Sequence, residues 1–221
     1  MLLGGDIREI IALTFVVTLA NSAASAIPYW RRGLVDIRVA IAITLAAMVG
    51  VLAGYQIGGH LSPRLLECIM LVALTYAGWK LVSAQARVSE GADSPCRASW
   101  WQLLLFGLLA GIVMGIMGGG GGVFIAIVLM VVFTMSAKTA VGTSIVIMGG
   151  AAIPGLLLHA QAGNMRWDLV LTMIPVSMLA AFFTARWGRG LPNQHIKRML
   201  GGLLLLMVSV LFLKQCLAWL A

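Results

Sequence analysis

Five consecutive glycines, Gly118 to Gly122, and a later Thr143-Ser144 pair are the residues of this chain whose types and spacing best suit chemistry. Each glycine costs a helix roughly 1 kcal/mol relative to alanine, so the run predicts a break. A helix restarting after such a break presents unpaired backbone N–H groups and about half a positive charge. Glycine also lets a ligand approach those amides closely, because no Cβ shields them. The combination suits an oxyanion held without a buried cation. Thr143 and Ser144 add hydroxyls able to donate to substrate oxygens. Thr14 and Asn21, polar residues inside the first apolar stretch, complete the candidate substrate-binding set.

Each feature also has a plainer reading. Gly111-x-x-x-Gly115 is a small-residue contact motif, and helix packing is preferred for that pair. Packing needs spaced small residues, so five glycines in a row favour the break instead. For Thr143 and Ser144 a substrate role and a bond to the preceding turn's carbonyl stand level. Asn21 and Ser22 face a cavity or link helices. His159 reads as an interfacial histidine, with a proton-coupling role as the less favoured alternative. Methionines such as Met114 and Met148 read as gap fillers rather than soft-metal ligands. No Asp or Glu lies deep in an apolar stretch, which disfavours a carboxylate proton relay. No metal site, cofactor or catalytic residue is expected.

The elements that must position these residues are membrane helices. The chain has 221 residues, 61% of them hydrophobic and only 10% charged, with a mean hydropathy of +1.02. Soluble domains are closer to half apolar and a quarter charged. Three cysteines, Cys68, Cys96 and Cys216, make no disulfide or metal pattern. Stretches of about 20 apolar residues, the length that crosses a bilayer, are found at 7–27, 37–57, 65–82, 101–117, 123–135, 137–158, 167–187 and 199–219. The expected fold is an all-α integral membrane protein of about seven to eight segments, with 101–117 and 123–135 as a broken or re-entrant pair. Ala24-Ser25-Ala26 looks like a signal-peptidase site, but no basic region precedes the apolar run and a full span is preferred.

Charge decides how the broken pair runs. The net charge is +8, yet the basic residues sit in gaps between apolar stretches and form no basic face, so nucleic acid is not an expected partner. If the pair returns to its starting side, Arg8, Arg64, Arg166 and Lys214 stand against the other eleven Lys and Arg. If it crosses once, the split is eight against seven. The positive-inside bias therefore favours the return, with the linker 84–100 cytoplasmic.

An offset of 130 residues lays 6–78 over 136–208, so that Gly33 meets Gly163, Gly58 meets Gly188 and Thr14 meets Ser144. On the returning topology these copies are inverted, a transporter architecture with its site between the copies. The expected organisation is a first repeat at 1–83, the linker 84–100, and a second repeat at 101–221. The broken pair has no counterpart ahead of the first repeat, which reads as an absent N-terminal hairpin.

Gly111-Ile-Val-Met-Gly115-Ile-Met-Gly118 to Gly122, then Ser136-Ala-Lys-Thr-Ala-Val-Gly-Thr-Ser144, resembles the sulfite exporter (TauE/SafE) permease family. Gly50-x-x-x-Gly54, Leu61-Ser-Pro-Arg64 and Gly201-Gly202 are similar as well. Two features depart from that pattern: Ala12-Leu13-Thr14 stands where the second half has Gly142-Thr143-Ser144, and no proline follows the glycine run. The resemblance implies a multi-pass inner-membrane permease that exports small anions, such as sulfite or organosulfonates, rather than an enzyme. Its partners would be the anionic substrate and the lipid bilayer, with a homodimer compatible with the shortened first half. One rival reading is a thiol-disulfide carrier using Cys68 and Cys216. Another, a hydrolase pairing Ser144 with His159, is disfavoured because fifteen residues of helix separate them by about 22 Å.

Overall fold

A computed structural model describes residues 7–58, 99–119, 121–163 and 165–188, with Gly190, Pro192, Ile196, Met199 and Gly202. These residues form α1 (Ile7–Trp30), α2 (Ile37–Gly58), α3 (Trp100–Met117), α4 (Gly122–Val131), α5 (Ala137–Gln161) and α6 (Trp167–Gly188), and no strand. The stretches 65–82 and 199–219 as spans, most of the linker, Gly120 and the three cysteines lie outside the described residues, and so do the two complete repeats. Four of the described helices are long and apolar enough to cross a membrane. Large apolar side chains such as Leu45 and Val49 on α2 and Leu171, Val176 and Phe183 on α6 are exposed. Contiguous apolar surface of this kind suits lipid rather than water.

Local chemistry starts the helices where polar residues interrupt the apolar pattern. Gly33, at φ 66°, makes the turn between α1 and α2, and the Asp36 carboxylate then accepts the Val39 N–H at 3.1 Å. Gln102 Oε1 accepts the Ser99 N–H at 3.2 Å ahead of α3. Ser136 Oγ accepts the Thr139 N–H at 3.3 Å ahead of α5. Each of these supplies a partner for an amide or turn group that the helix ladder leaves over. The expected span 123–135 is corrected at its end. Here α4 stops at Val131, Met135 N–H reaches back to the Leu129 carbonyl at 3.1 Å, and Thr134 takes φ 53°. Hydropathy persists through that turn, so an apolar count cannot see the helix unwind.

Small residues set the helix contacts. Gly107, Gly111 and Gly115 of α3 lie on Ile43, Ala47 and Val51 of α2, while Gly50 and Gly54 lie on Leu108 and Ile112. Both numberings rise together, so α2 and α3 are parallel, with Arg38 5.0 Å from the Trp100 ring at their shared start. The packing reading of Gly111 and Gly115 holds, and the stripe extends to Gly107. On α5, Gly142 lies against Tyr29 and Leu34, Gly149 against Ser22 and Gly155 against Phe15, so α5 runs antiparallel to α1. Gly150 meets Thr44, and Thr143 meets Asp36, so α5 runs parallel to α2.

These directions determine the course of the broken pair. Both α3 and α5 start at the end of the bundle that holds the α1–α2 turn. Within the pair, Phe106 and Phe133 rings are 5.8 Å apart and Gly121 lies against Met114, so α4 runs back along α3. The segment 100–136 thus leaves and returns to one end of the bundle, with the glycine break at its turn.

Candidate functional site

The break forms because glycine alone tolerates its backbone. Gly118 closes α3 at φ 87° and ψ −178°, a region occupied essentially only by glycine. Gly121 precedes α4 and has no side chain with which to cap it. The first amide bonded back to the glycines is Ile125 N–H, to the Gly121 carbonyl at 3.0 Å. The amides of Gly122, Val123 and Phe124 precede that ladder, as the first turn of any helix does.

This irregular backbone is buried, with Gly118, Gly119 and Gly122 all inside the protein. Broken backbone survives at membrane depth only in such a place. Two threonines of α1 splice it to the bundle. Gly119 N–H donates to Thr14 Oγ1 at 3.3 Å, and Thr18 Oγ1 donates to the Gly119 carbonyl at 3.1 Å. The Thr14 hydroxyl donates in turn to the Ile11 carbonyl at 2.7 Å. At about 1.5 Å per residue, these threonines lie roughly 10–16 Å along α1, between a third and half of its length. Side chains fill the open faces of the glycines: Thr14 at Gly118, Thr18 at Gly119 and Met148 at Gly122.

The other candidates are placed differently. Thr143 is fully buried, and its hydroxyl accepts the Asp36 N–H at 3.0 Å, pinning α5 to the start of α2. Ser144 is also buried and donates to the Val141 carbonyl at 2.9 Å. Asn21 lies on the α1 face that carries Thr14 and Thr18, with Oδ1 buried and unbonded among the described residues. Thr14 therefore joins the glycines, whereas Thr143 bonds the start of α2 and Ser144 bonds the preceding turn of its own helix. Thr18 was not among the expected residues, although its four-residue spacing from Thr14 puts both on one helix face.

His159 is enclosed by the bundle. It is only 2% exposed, packed 5.8 Å from the Phe15 ring and 5.1 Å from the Tyr55 ring between centroids. It stands near the end of α5, where α1 and α2 cover it. A separate groove of about 470 Å³ between α3 and α4, lined in part by Gln102, Phe106, Val128 and Phe133, lies toward the open end of the pair and away from the glycines.

The Thr143 contact carries its own prediction. Thr143→Val leaves the Asp36 amide without its acceptor and should cost about 1–3 kcal/mol, read as a lower melting temperature in detergent. Thr143→Ser should restore it. Unchanged melting with reduced transport would instead assign Thr143 to the substrate.

The family model described as Sulfite exporter TauE/SafE matches residues 1–211. The chain belongs to the sulfite exporter TauE/SafE family. A Xylella fastidiosa (strain 9a5c) protein named "Probable membrane transporter protein" is 33% identical over 109 residues, which is 49% of this chain and 41% of that protein. "Probable membrane transporter protein YdhB" of Bacillus subtilis (strain 168) is 26% identical over 179 residues, 80% of this chain and 73% of YdhB. The chain thus covers less than half of the Xylella relative. No solved structure matches it. Family membership and the four long apolar helices make this TauE/SafE chain a multi-pass membrane protein.

Proposed function

We propose that this TauE/SafE chain is a permease that moves a small anion, sulfite or an organosulfonate, outward across the inner membrane by alternating access. The buried helix break at Gly118–Gly122 supports the reading most directly, because it starts α4 inside the bundle with amides that no side chain caps among the described residues. A free helix N-terminus attracts negative charge without a fixed cation, which keeps binding weak enough for release. Met148 of α5 fills the face of Gly122 at the start of α4 in this conformation, so the anion would enter as that side chain moves aside. The end bearing Arg31, Arg32 and Arg38 would be cytoplasmic, the side on which basic residues collect. Relatives named as transporters and the family's description fit this reading.

Efflux of labelled sulfite, a taurine-like sulfonate and sulfate from cells expressing the protein tests it. Wild type should export one of the sulfur anions, and Gly122→Leu, whose side chain would collide with Met148, should not. Equal efflux from both would remove the anion site from the break. Replacing Cys68, Cys96 and Cys216 together should leave efflux intact, and its loss would favour a thiol-disulfide carrier.

A further inference from the structure

We infer that Thr18 is a positioning residue for this anion site, holding the Gly119 carbonyl against α1 and thereby keeping a negative dipole end out of the anion's place. The inference rests on the reading of the glycine break as the anion site. Glycine peptides rotate with little steric resistance, so nothing in residues 118–121 themselves prevents the 119 carbonyl from swinging toward the start of α4. There it would repel an anion and compete for the same amides. In the structure both polar groups of Gly119 are turned toward α1. Its N–H donates to Thr14 Oγ1 at 3.3 Å, and its carbonyl accepts from Thr18 Oγ1 at 3.1 Å. Thr14 is anchored by its own donation to Ile11, so its oxygen is aimed at the amide as an acceptor. The spacing of 14 and 18 places one hydroxyl above the other on a single helix face, matching an acceptor to the N–H and a donor to the carbonyl of one residue, Gly119. Gly119 sits close against α1, where a Cβ would come within 2.7 Å of Thr18 Cβ and 3.0 Å of the Thr14 carbonyl.

The test compares Thr18→Val, which keeps the shape and removes the hydroxyl, with Thr18→Ser, which keeps the hydroxyl. Two readouts are used: sulfite efflux kinetics in proteoliposomes, and amide hydrogen exchange of the segment 115–124 in the purified protein. Thr18→Val should raise KM for sulfite roughly tenfold, the scale of one lost buried hydrogen bond, with a much smaller change in maximal rate. It should also speed exchange in 115–124 but not in α2. Thr18→Ser should return both readouts to within about twofold of wild type. Wild-type KM and wild-type exchange in Thr18→Val would overturn the inference, and so would a loss confined to maximal rate. Gly122→Leu, run in parallel, separates the two levels. If it transports normally the break is not the anion site. If it fails while Thr18→Val behaves as wild type, the site stands and the role of Thr18 does not.

Discussion

Gly118→Ala is expected to reduce anion efflux at least tenfold while leaving folded protein in the membrane. Two costs combine at this position. The backbone sits at φ 87° and ψ −178°, where a residue with a Cβ pays about 1–3 kcal/mol. The added methyl would also collide with Thr14 Oγ1, the atom that accepts the Gly119 N–H. The chain relieves both by rotating the 118–119 peptide, which releases the Gly119 N–H from Thr14 and alters the start of α4. The helix contacts that hold the bundle lie elsewhere, so the protein should still fold, with a melting temperature lowered by a few degrees. Gly33→Ala provides the comparison. Gly33 also has positive φ, at 66°, but nothing lies within 4 Å of a Cβ there. It should show a similar modest loss of stability with normal efflux. Normal efflux from Gly118→Ala, measured against the amount of protein in the membrane, would show that the geometry of the break does not serve transport.

The second large effect concerns folding. Gly111→Leu should yield no monodisperse protein on extraction in detergent, and Gly111→Ala should be destabilised by about 1–3 kcal/mol, the scale of overpacking in a tight core. A Cβ at Gly111 would lie 2.7 Å from Ala47 Cα and 2.8 Å from its carbonyl carbon, atoms of helix backbone that cannot rotate aside. The parallel α2–α3 pair would have to separate along its length. Gly58 is a control on the same interface. Its nearest neighbour would be Ile116 Cα at 3.5 Å, an ordinary contact. Gly58→Ala should be tolerated, with up to about 1 kcal/mol gained from helix propensity. Equal stability of the Gly111 and Gly58 alanine variants would contradict the packing described for this pair.

Much of this was legible in the chain itself. The broken helix pair follows from the glycine run, because backbone entropy acts locally and needs no neighbour to be known. Close packing at Gly111 and Gly115 follows from their four-residue spacing, since only small residues let two helix backbones approach. The α2 and α5 starts follow from the apolar stretches that begin at 37 and 137, and there the Asp36 and Ser136 side chains bond within their own first turns. Where a local rule conflicts with a longer-range contact, the sequence reading misses. Hydropathy carried the expected helix to Met135, yet the Met135 amide bonds to Leu129 and ends α4 earlier. Position along α5 says nothing of what encloses His159, and Phe15 and Tyr55 come from two other helices.

The candidate site divides in the same way. Composition and hydropathy alone determined that the chain lives in a membrane as helices, and glycine's lack of a Cβ determined where one of them breaks. Both are properties of residues and their immediate neighbours. Only the tertiary structure decided that α1 supplies the partners of the break. The bonds from Thr14 and Thr18 to Gly119 join residues about a hundred positions apart. It also decided that Thr143 bonds the Asp36 amide instead of facing the break. A hydroxyl in an apolar helix must find a hydrogen-bond partner, and its type does not say which one. That choice is made by which helices pack together and in which direction they run.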